Sequence, residues 1–377
     1  MSPKFTKKIE HKYVRLRRTL LEIIRKSAPG TQLPSYNQMS LEMDVTQPTI
    51  DRVLQELTIA GLVERRQGKG IFVSNTSHDK AVALVFGGQI LSPWASPFYN
   101  LLLINLQAYG REKNLKTRYY IDTPDIMNPL NENASHKSYE ADAASGRISG
   151  VIVGSLPGLT QLEWLRQAGA PVVWFTGNIP IPGAVVLDFM QLIRVGVDSL
   201  ASRGCKKIGL ISPFFYPADE QGEFALEIIN TFQKSLAAHH LPFVEDFVVN
   251  PDFSTDRAVR QGVPGSNNTA HLISRRLAGH EFPDGLIITD DICSRSVINK
   301  FQSAGIRLNH DVKIASHSNQ GSPSLHEMED QLIRLEVDVY ELARCLYEQL
   351  QRAQSQPDLP PPHFMPIKAC IPEVLRG

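Results

Sequence analysis

From residue 81 onward, short apolar runs of β character alternate with helical patterns, and that alternation constrains the chain more than any other feature. Val82–Phe86, Thr117–Ile121, Gly150–Val153, Pro171–Phe175, Lys207–Ile211, Gly285–Thr289 and Val312–Ala315 read as strands, being short and apolar. Between them Phe98–Lys113, Leu159–Gln167, Leu192–Arg203, Phe224–His240 and Ser294–Ala304 place apolar residues at helical spacing. Repeated strand-helix units predict an α/β fold with parallel, helix-covered sheets, and nearly 300 residues of them predict two lobes. Ligands of such sheets sit outside the carboxyl ends of the strands.

The first 75 residues read differently. They hold thirteen Lys and Arg against seven Asp and Glu, a net charge of +6, whereas residues 76–377 carry −6, so the overall balance of zero hides a basic head on a mildly acidic body. A compact basic module is suited to a polyanion. Ile9, Tyr13, Leu16, Leu20, Ile23 and Ile24 recur at helical spacing up to Ser27, with Arg15, Arg17, Arg18, Arg25 and Lys26 on other faces. Pro29-Gly30 stops that helix, Ser35 is placed to cap a short one through Met39 and Met43, and Thr46 is placed to cap a third that tolerates Pro48 in its first turn. In the third helix Ile50, Val53, Leu54 and Leu57 face inward, leaving Gln47, Thr49, Asp51, Arg52 and Gln55 to point elsewhere. Leu62–Arg65 and Ile71–Val73 then form a hairpin through the glycine-containing turn Arg66-Gln67-Gly68-Lys69-Gly70. Three helices and a hairpin make a winged helix-turn-helix over residues 1–75. The polar stretch from Ser74 to Lys80 reads as a linker, set at 76–80, which leaves 81–377 as a two-lobed second domain.

The chemistry of the head follows from residue types. Gln47 and Arg52 can make base-edge or phosphate hydrogen bonds, Gln pairing well with adenine and Arg with guanine, Lys69 on a glycine-flanked tip can reach a narrow groove, and Arg15, Arg65 and Arg66 are candidates for phosphate contacts. Ser35, Asn37, Thr46, Thr49 and Gln67 complete the expected face on double-stranded operator DNA. Each cation taken singly also fits an ordinary solvated surface charge.

Other classes find no support in the pattern. Cys205, Cys293, Cys345 and Cys370 are scattered without a CxxC pair, so neither a disulfide framework nor a zinc site is expected, and no cofactor is. There is no Gly-rich phosphate cradle, no HExxH and no GxSxG, and the adjacent pair His239-His240 points about 100° apart on a helix, so no enzyme is expected. No run approaches a membrane span and the charged N-terminus lacks an apolar signal core, which points to the cytoplasm.

Leu33-Pro34-Ser35, Val45–Ile50, Leu57–Leu62 and Glu64–Val73 together resemble the DNA-binding domain of GntR-family transcription regulators, covering about residues 8–75. The resemblance implies that the third helix enters the major groove and the wing the minor groove. Asn37, Gln47 and Asp51 stand where family members usually carry arginines, which alters the expected operator. The body resembles the effector-binding domain of LacI-family regulators and periplasmic sugar-binding proteins. The carriers are Ser96–Tyr99, Gly150–Val153, Leu200–Leu210, Asp284–Asp291 and Gly305–Ala315.

That second resemblance implies a small effector, commonly a sugar or purine, between two lobes, and a homodimer formed through this domain. Carried over by position, Asp290 and Asp188 are pocket residues, while Ile228 replaces a ligand-gripping arginine and Ser318 replaces an aspartate. Glu220 or Glu227 offers a substitute charge. Trp94, Phe98, Tyr99, Trp174, Phe214 and Tyr216 lie near predicted strand ends, where they either stack on a ligand ring or pack in the core. Asp290 has a second role open to it as the N-cap of Ser294–Ala304. The expected protein is a transcription regulator, a repressor, controlled by a neutral sugar or related metabolite. The alternative is a constitutive DNA-binding protein whose body only dimerises.

Overall fold

The computed structural model describes residues 4–59, 61–74, 80–91, 96–122, 134–144, 146–155, 165, 169–213, 222–249, 269–356 and 358–373. The chain divides into two compact units, the first comprising residues 1–93, 107–175 and 346–360 and the second residues 94–106, 176–345 and 361–377.

The first unit begins with the winged helix. Helix α1 (Lys4–Lys26) starts before Ile9, as expected once a helix is nucleated and each further residue adds one hydrogen bond. Ser35 caps α2 (Tyr36–Met43) through a capping box, its hydroxyl taking the Gln38 amide while the Gln38 side chain returns to the Ser35 amide. Asp44 then turns the chain in the left-handed region at φ 52°, which short polar side chains tolerate. Helix α3 (Gln47–Ile59) buries Ile50, Val53, Leu54 and Leu57 against Tyr13, Leu16, Leu20 and Ile24 of α1 and Met39 of α2. Strands β1 (Val63–Arg66) and β2 (Gly70–Val73) pair antiparallel with Arg66 opposite Gly70, closing the wing. Gly68 sits at φ +68°, where a larger residue would be strained, so the wing tip depends on it.

The same unit holds a parallel sheet. Strand β3 (Ala81–Gly87) lies between β4 (Thr117–Asp122) and β5 (Ile148–Ser155), and β5 continues onto β6 (Val172–Gly177), all parallel. Every residue of β3 is buried, which is why it reads as an unbroken apolar run rather than an alternating one. Helix α4 (Pro97–Glu112) follows β3, and helix α5 (Ala134–Ala144) lies beside β4.

The second unit has a parallel pair, β7 (Ala184–Leu187) with β13 (His363–Met365), and a six-stranded sheet. That sheet runs β14 (Lys368–Cys370), β12 (Ile333–Val337), β11 (Lys313–Asn319), β10 (Gly285–Ile288), β8 (Ile208–Ile211), β9 (Val248–Val249), with β12–β14 its antiparallel pairing. Helices α6 (Phe189–Ala201), α7 (Gly222–Ala238), α8 (Thr269–Leu277) and α9 (Asp291–Ser303) belong to this unit, and α10 (Val339–Ser355) begins in it. Gly209 in β8 is a close-approach glycine: a Cβ there would lie 2.9 Å from the Phe247 backbone oxygen.

The expected strands and helices recur with ends shifted by a few residues. Strand β11 runs four residues past Ala315 because Ser316 to Asn319 keep pairing with Arg334 to Val337 of β12. Elements unread in the sequence are the short strands such as β7 and β13, the half-buried β12, whose Arg334 and Glu336 interrupt the apolar run, and the helices α5, α8 and α10. The expected helix Leu159–Gln167 lies, Leu165 apart, outside the described residues, as does the linker apart from Lys80.

Candidate DNA-binding face and candidate effector site

All the expected DNA contacts fall on the surface of the winged helix, Thr49 half-exposed and the rest exposed. Ser35 and Asn37 stand at the start of α2, Thr46, Gln47, Thr49 and Arg52 along the first half of α3, and Arg65, Arg66, Gln67 and Lys69 on the wing. Arg15 projects from α1 and donates to the Met43 carbonyl, holding the end of α2.

Several of these cations already have partners. Arg66 bonds Glu64 through Nε at 2.9 Å and covers the Phe72 ring at 4.5 Å. Arg65 lies 3.6 Å from Asp51, which also accepts the Tyr36 hydroxyl at 2.7 Å. Asp51, Gln55, Thr58, Ile59 and Arg65 line an open groove of about 370 Å³ between α3 and the wing. Arg52 sits over the Tyr13 ring at 4.8 Å, with Nε 3.7 Å from Glu56. Glu56 also accepts the Tyr13 hydroxyl; burial and this carboxylate push the Tyr13 phenol well above its ordinary range. Lys69 differs: its ammonium meets no partner among the described residues, while its backbone is held by Gln32 at 2.9 Å. Among the described residues the face therefore offers a free cation at the wing tip and several whose geometry is preset by neighbouring carboxylates.

The second unit gathers polar groups where its parallel strands end. Ser212 after β8 accepts from Thr289 after β10 at 2.9 Å, and Ser294 of α9 meets Ser316 of β11 at 2.5 Å. Asn319 donates to Asp291 at 3.2 Å. His317 is 5% exposed, and neither ring nitrogen has a partner; the Asn319 side-chain oxygen is likewise unmatched. Its nearest ring is Phe189, 6.5 Å away between centroids. A buried imidazole left unpaired costs about 1–3 kcal/mol, so the fold tolerates here a group that a hydroxylated ligand would satisfy.

Asp290 and Asp188 each cap a helix. The Asp290 carboxylate takes the Ile292 and Cys293 amides at 3.0 Å, opening α9, and with burial it drives the Cys293 thiol far above its usual range. Asp188 takes the Gln191 amide at 2.7 Å and lies 3.9 Å from Arg194. Phe98 and Tyr99 stack edge to face at the start of α4 in the same unit, where Leu101 contacts the Cβ position of Gly321 beyond β11 at 3.7 Å. Ser318 is 7% exposed on β11. Trp174 is 2% exposed in β6, in the first unit, and Ile228 is fully buried in α7. Trp94, Tyr216, Phe214 and Glu220 lie outside the described residues. The structure thus brings Phe98, Tyr99, Asp188, Asp290 and Ser318 into one unit with His317, Asn319 and Phe189, which the sequence did not single out as site residues. Their only sequence signal is the polar run Ser316–Asn319 closing an apolar strand. Among the described residues no His, Cys, Asp and Glu are grouped to hold a metal, and His239 instead pairs with Asp198 at 2.6 Å.

Comparison with known proteins agrees with both halves. Residues 12–73 match the family described as bacterial regulatory proteins, gntR family, and residues 197–371 match the periplasmic binding protein-like domain. Over 53 residues the chain is 38% identical to YhcF, an uncharacterized HTH-type transcriptional regulator of Bacillus subtilis (strain 168). That stretch is 14% of this chain and 44% of YhcF, so the chain spans less than half the length of that relative. The transcriptional regulator CelR–cellobiose complex is similar with a TM-score of 0.56 and 18% identity, covering 87% of this chain and 90% of that one. Transcription regulator CcpA of Lactococcus lactis follows with a TM-score of 0.53 and 16% identity, covering 77% of this chain and 97% of its own. At such identities the likeness is one of fold.

A winged helix joined to an α/β body is a combination that resembles transcription regulators. More particularly, residues 12–73 resemble the gntR-family DNA-binding domain and residues 197–371 the periplasmic binding protein-like domain, on a fold similar to that of CelR and CcpA. No described helix is long and apolar enough to cross a membrane.

Proposed function

We propose that the protein is a cytoplasmic, homodimeric repressor whose hold on operator DNA is controlled by a neutral sugar. The winged helix of residues 1–75 reads DNA through Gln47, Arg52 and Lys69, with Arg15, Arg65 and Arg66 on phosphates. The body of residues 81–377, beyond a linker at 76–80, binds the effector and pairs the two copies. The observation that carries the effector reading is His317: a buried imidazole with both nitrogens unmatched beside Asn319 and Ser318, at the carboxyl end of a parallel strand. Such groups suit hydroxyls, and Ile228 in place of an arginine argues against an anionic ligand. That CelR was solved with cellobiose adds support. Effector binding favours one arrangement of the body and so changes the population of dimers able to span two half-sites.

The test is a thermal-shift and calorimetric panel of neutral mono- and disaccharides, cellobiose included, against phosphorylated and carboxylated sugars. Binding is expected among the neutral sugars, with His317→Leu losing it. Tight binding of an anionic sugar alone contradicts the reading. Stability unmoved by every compound favours the alternative, a body that only dimerises.

A further inference from the structure

We propose that helix α5 of the body is a docking surface for the winged helix, and that this docking fixes the spacing between operator half-sites that the protein accepts. The inference rests on the reading of the chain as a dimeric DNA-binding protein. Its evidence lies in the first unit.

Arg17 of α1 is 8% exposed, and its Nη1 donates to Glu140 of α5, 123 residues further along the chain. The same guanidinium approaches Glu56 of α3 at 4.0 Å, so one buried cation joins the body helix to the helix that carries Arg52. Beside this ion pair the contact is apolar. Ala141, the next residue of α5, is 7% exposed and belongs to the same core cluster as Tyr13, Leu16, Leu20 and Leu57 of the head. A third point of approach is Gly61 after α3, whose Cβ position lies 3.9 Å from Arg147. Helix α5 is itself anchored to its sheet: Asp142 pairs with Arg147 at 2.9 Å, with Arg118 of β4 at 3.0 Å and with the Tyr120 hydroxyl at 2.5 Å.

An ion pair with a shielded cation and an apolar seal resists separation, because undocking leaves charge and apolar surface without their partners. Since α1 and α3 share one core, the recognition helix moves with α1, and α1 is held by α5. The head is therefore aimed by the body. Two aimed heads fit one centre-to-centre distance, and each base pair added between half-sites rotates one head about the DNA axis by about a tenth of a turn. Two heads on free tethers would accommodate several spacings.

Glu140→Lys in the full chain sets two like charges against each other, and Arg17→Glu with Glu140→Lys, made together with Glu56→Gln so that the new carboxylate meets no like charge, restores the pair with reversed sign. Hydrogen exchange at residues 134–144 and along α1 is expected to speed up by about tenfold in Glu140→Lys and to return toward the parent rate in the exchanged pair. A binding site is selected from random duplex DNA, and affinity is measured as its half-sites are moved apart one base pair at a time. The parent is expected to show one sharp optimum, Glu140→Lys a broad profile, and the exchanged pair a sharp one again. Unchanged exchange in Glu140→Lys overturns the docking, and faster exchange with an unaltered spacing profile overturns its role in operator choice. Failure of the parent to select any DNA overturns the functional reading instead, while the exchange measurement still decides the docking.

Discussion

The winged helix and the strand ends of the second unit treat polar groups in opposite ways. On the DNA-facing side of the head, charged side chains stand at the surface and mostly have partners, as Arg52 has Glu56, Arg65 has Asp51 and Arg66 has Glu64. At the ends of β8, β10 and β11 the polar side chains are buried, and His317 and one atom of Asn319 lack a partner. A surface meant for a polyanion keeps its cations hydrated and oriented, so phosphates exchange with water and carboxylates at little cost. A pocket meant for a small neutral ligand keeps hydrogen-bonding capacity out of water, where satisfying it is worth more. On the proposed reading, this difference separates the DNA face from the effector site.

Replacing both Arg52 and Lys69 by Ala should have the largest effect. Loss of a base-reading Arg costs about 1–3 kcal/mol of binding, and loss of a phosphate-contacting Lys reduces the salt slope by about one. Fluorescence anisotropy at several salt concentrations checks it; an unchanged affinity and slope would show that the presented cations do not meet DNA.

His317→Phe should act in the opposite sense on stability. Removing an unpaired buried imidazole while filling its space should stabilise the body by about 1–2 kcal/mol, raising the unfolding midpoint by about 2–4 °C while ligand binding is lost. A lower midpoint in scanning calorimetry would mean that the imidazole already has what it needs, and the contrast between the two regions would fail there.

Asp290 divides its expected roles in a smaller experiment. Asp290→Ala should destabilise the protein by about 1 kcal/mol through loss of the α9 cap, whereas Asp290→Asn should cost a few tenths. If Asn nonetheless abolishes sugar-induced stabilisation, the carboxylate serves both helix and ligand; if sugar binding is unaffected, it serves the helix alone.

The smallest effect concerns alkaline pH. Burial and Glu56 raise the Tyr13 phenol above its ordinary value of 10.0 in the folded head. Its contribution is therefore complete below that value and is lost as pH rises toward the folded one. Tyr13→Phe should flatten the fall in unfolding midpoint between about pH 10 and pH 12. An identical fall in both proteins would place the hydroxyl in water rather than against Glu56.

Much of the head was legible because its determinants are local. The Ser35 capping box, the stop at Pro29-Gly30, the spacing of Ile50, Val53, Leu54 and Leu57, and the glycine of the wing tip each act within a few residues. The alternating units of the body were legible for the same reason, since β3 is buried on both faces and its sequence is uniformly apolar. Short or half-buried elements such as β7 and β12 escaped, because their assignment depends on neighbours far along the chain.

What the sequence determined by itself was the class of fold, the basic head and the residue types available for DNA, because periodicity, caps and turns are written at short range. Only the tertiary structure decided that Trp174 lies in the core and that His317 is buried without a partner. It alone placed Glu140 against Arg17. Burial and pairing belong to residues separated by tens to more than a hundred positions, and no local rule fixes which of them will share a water-free space.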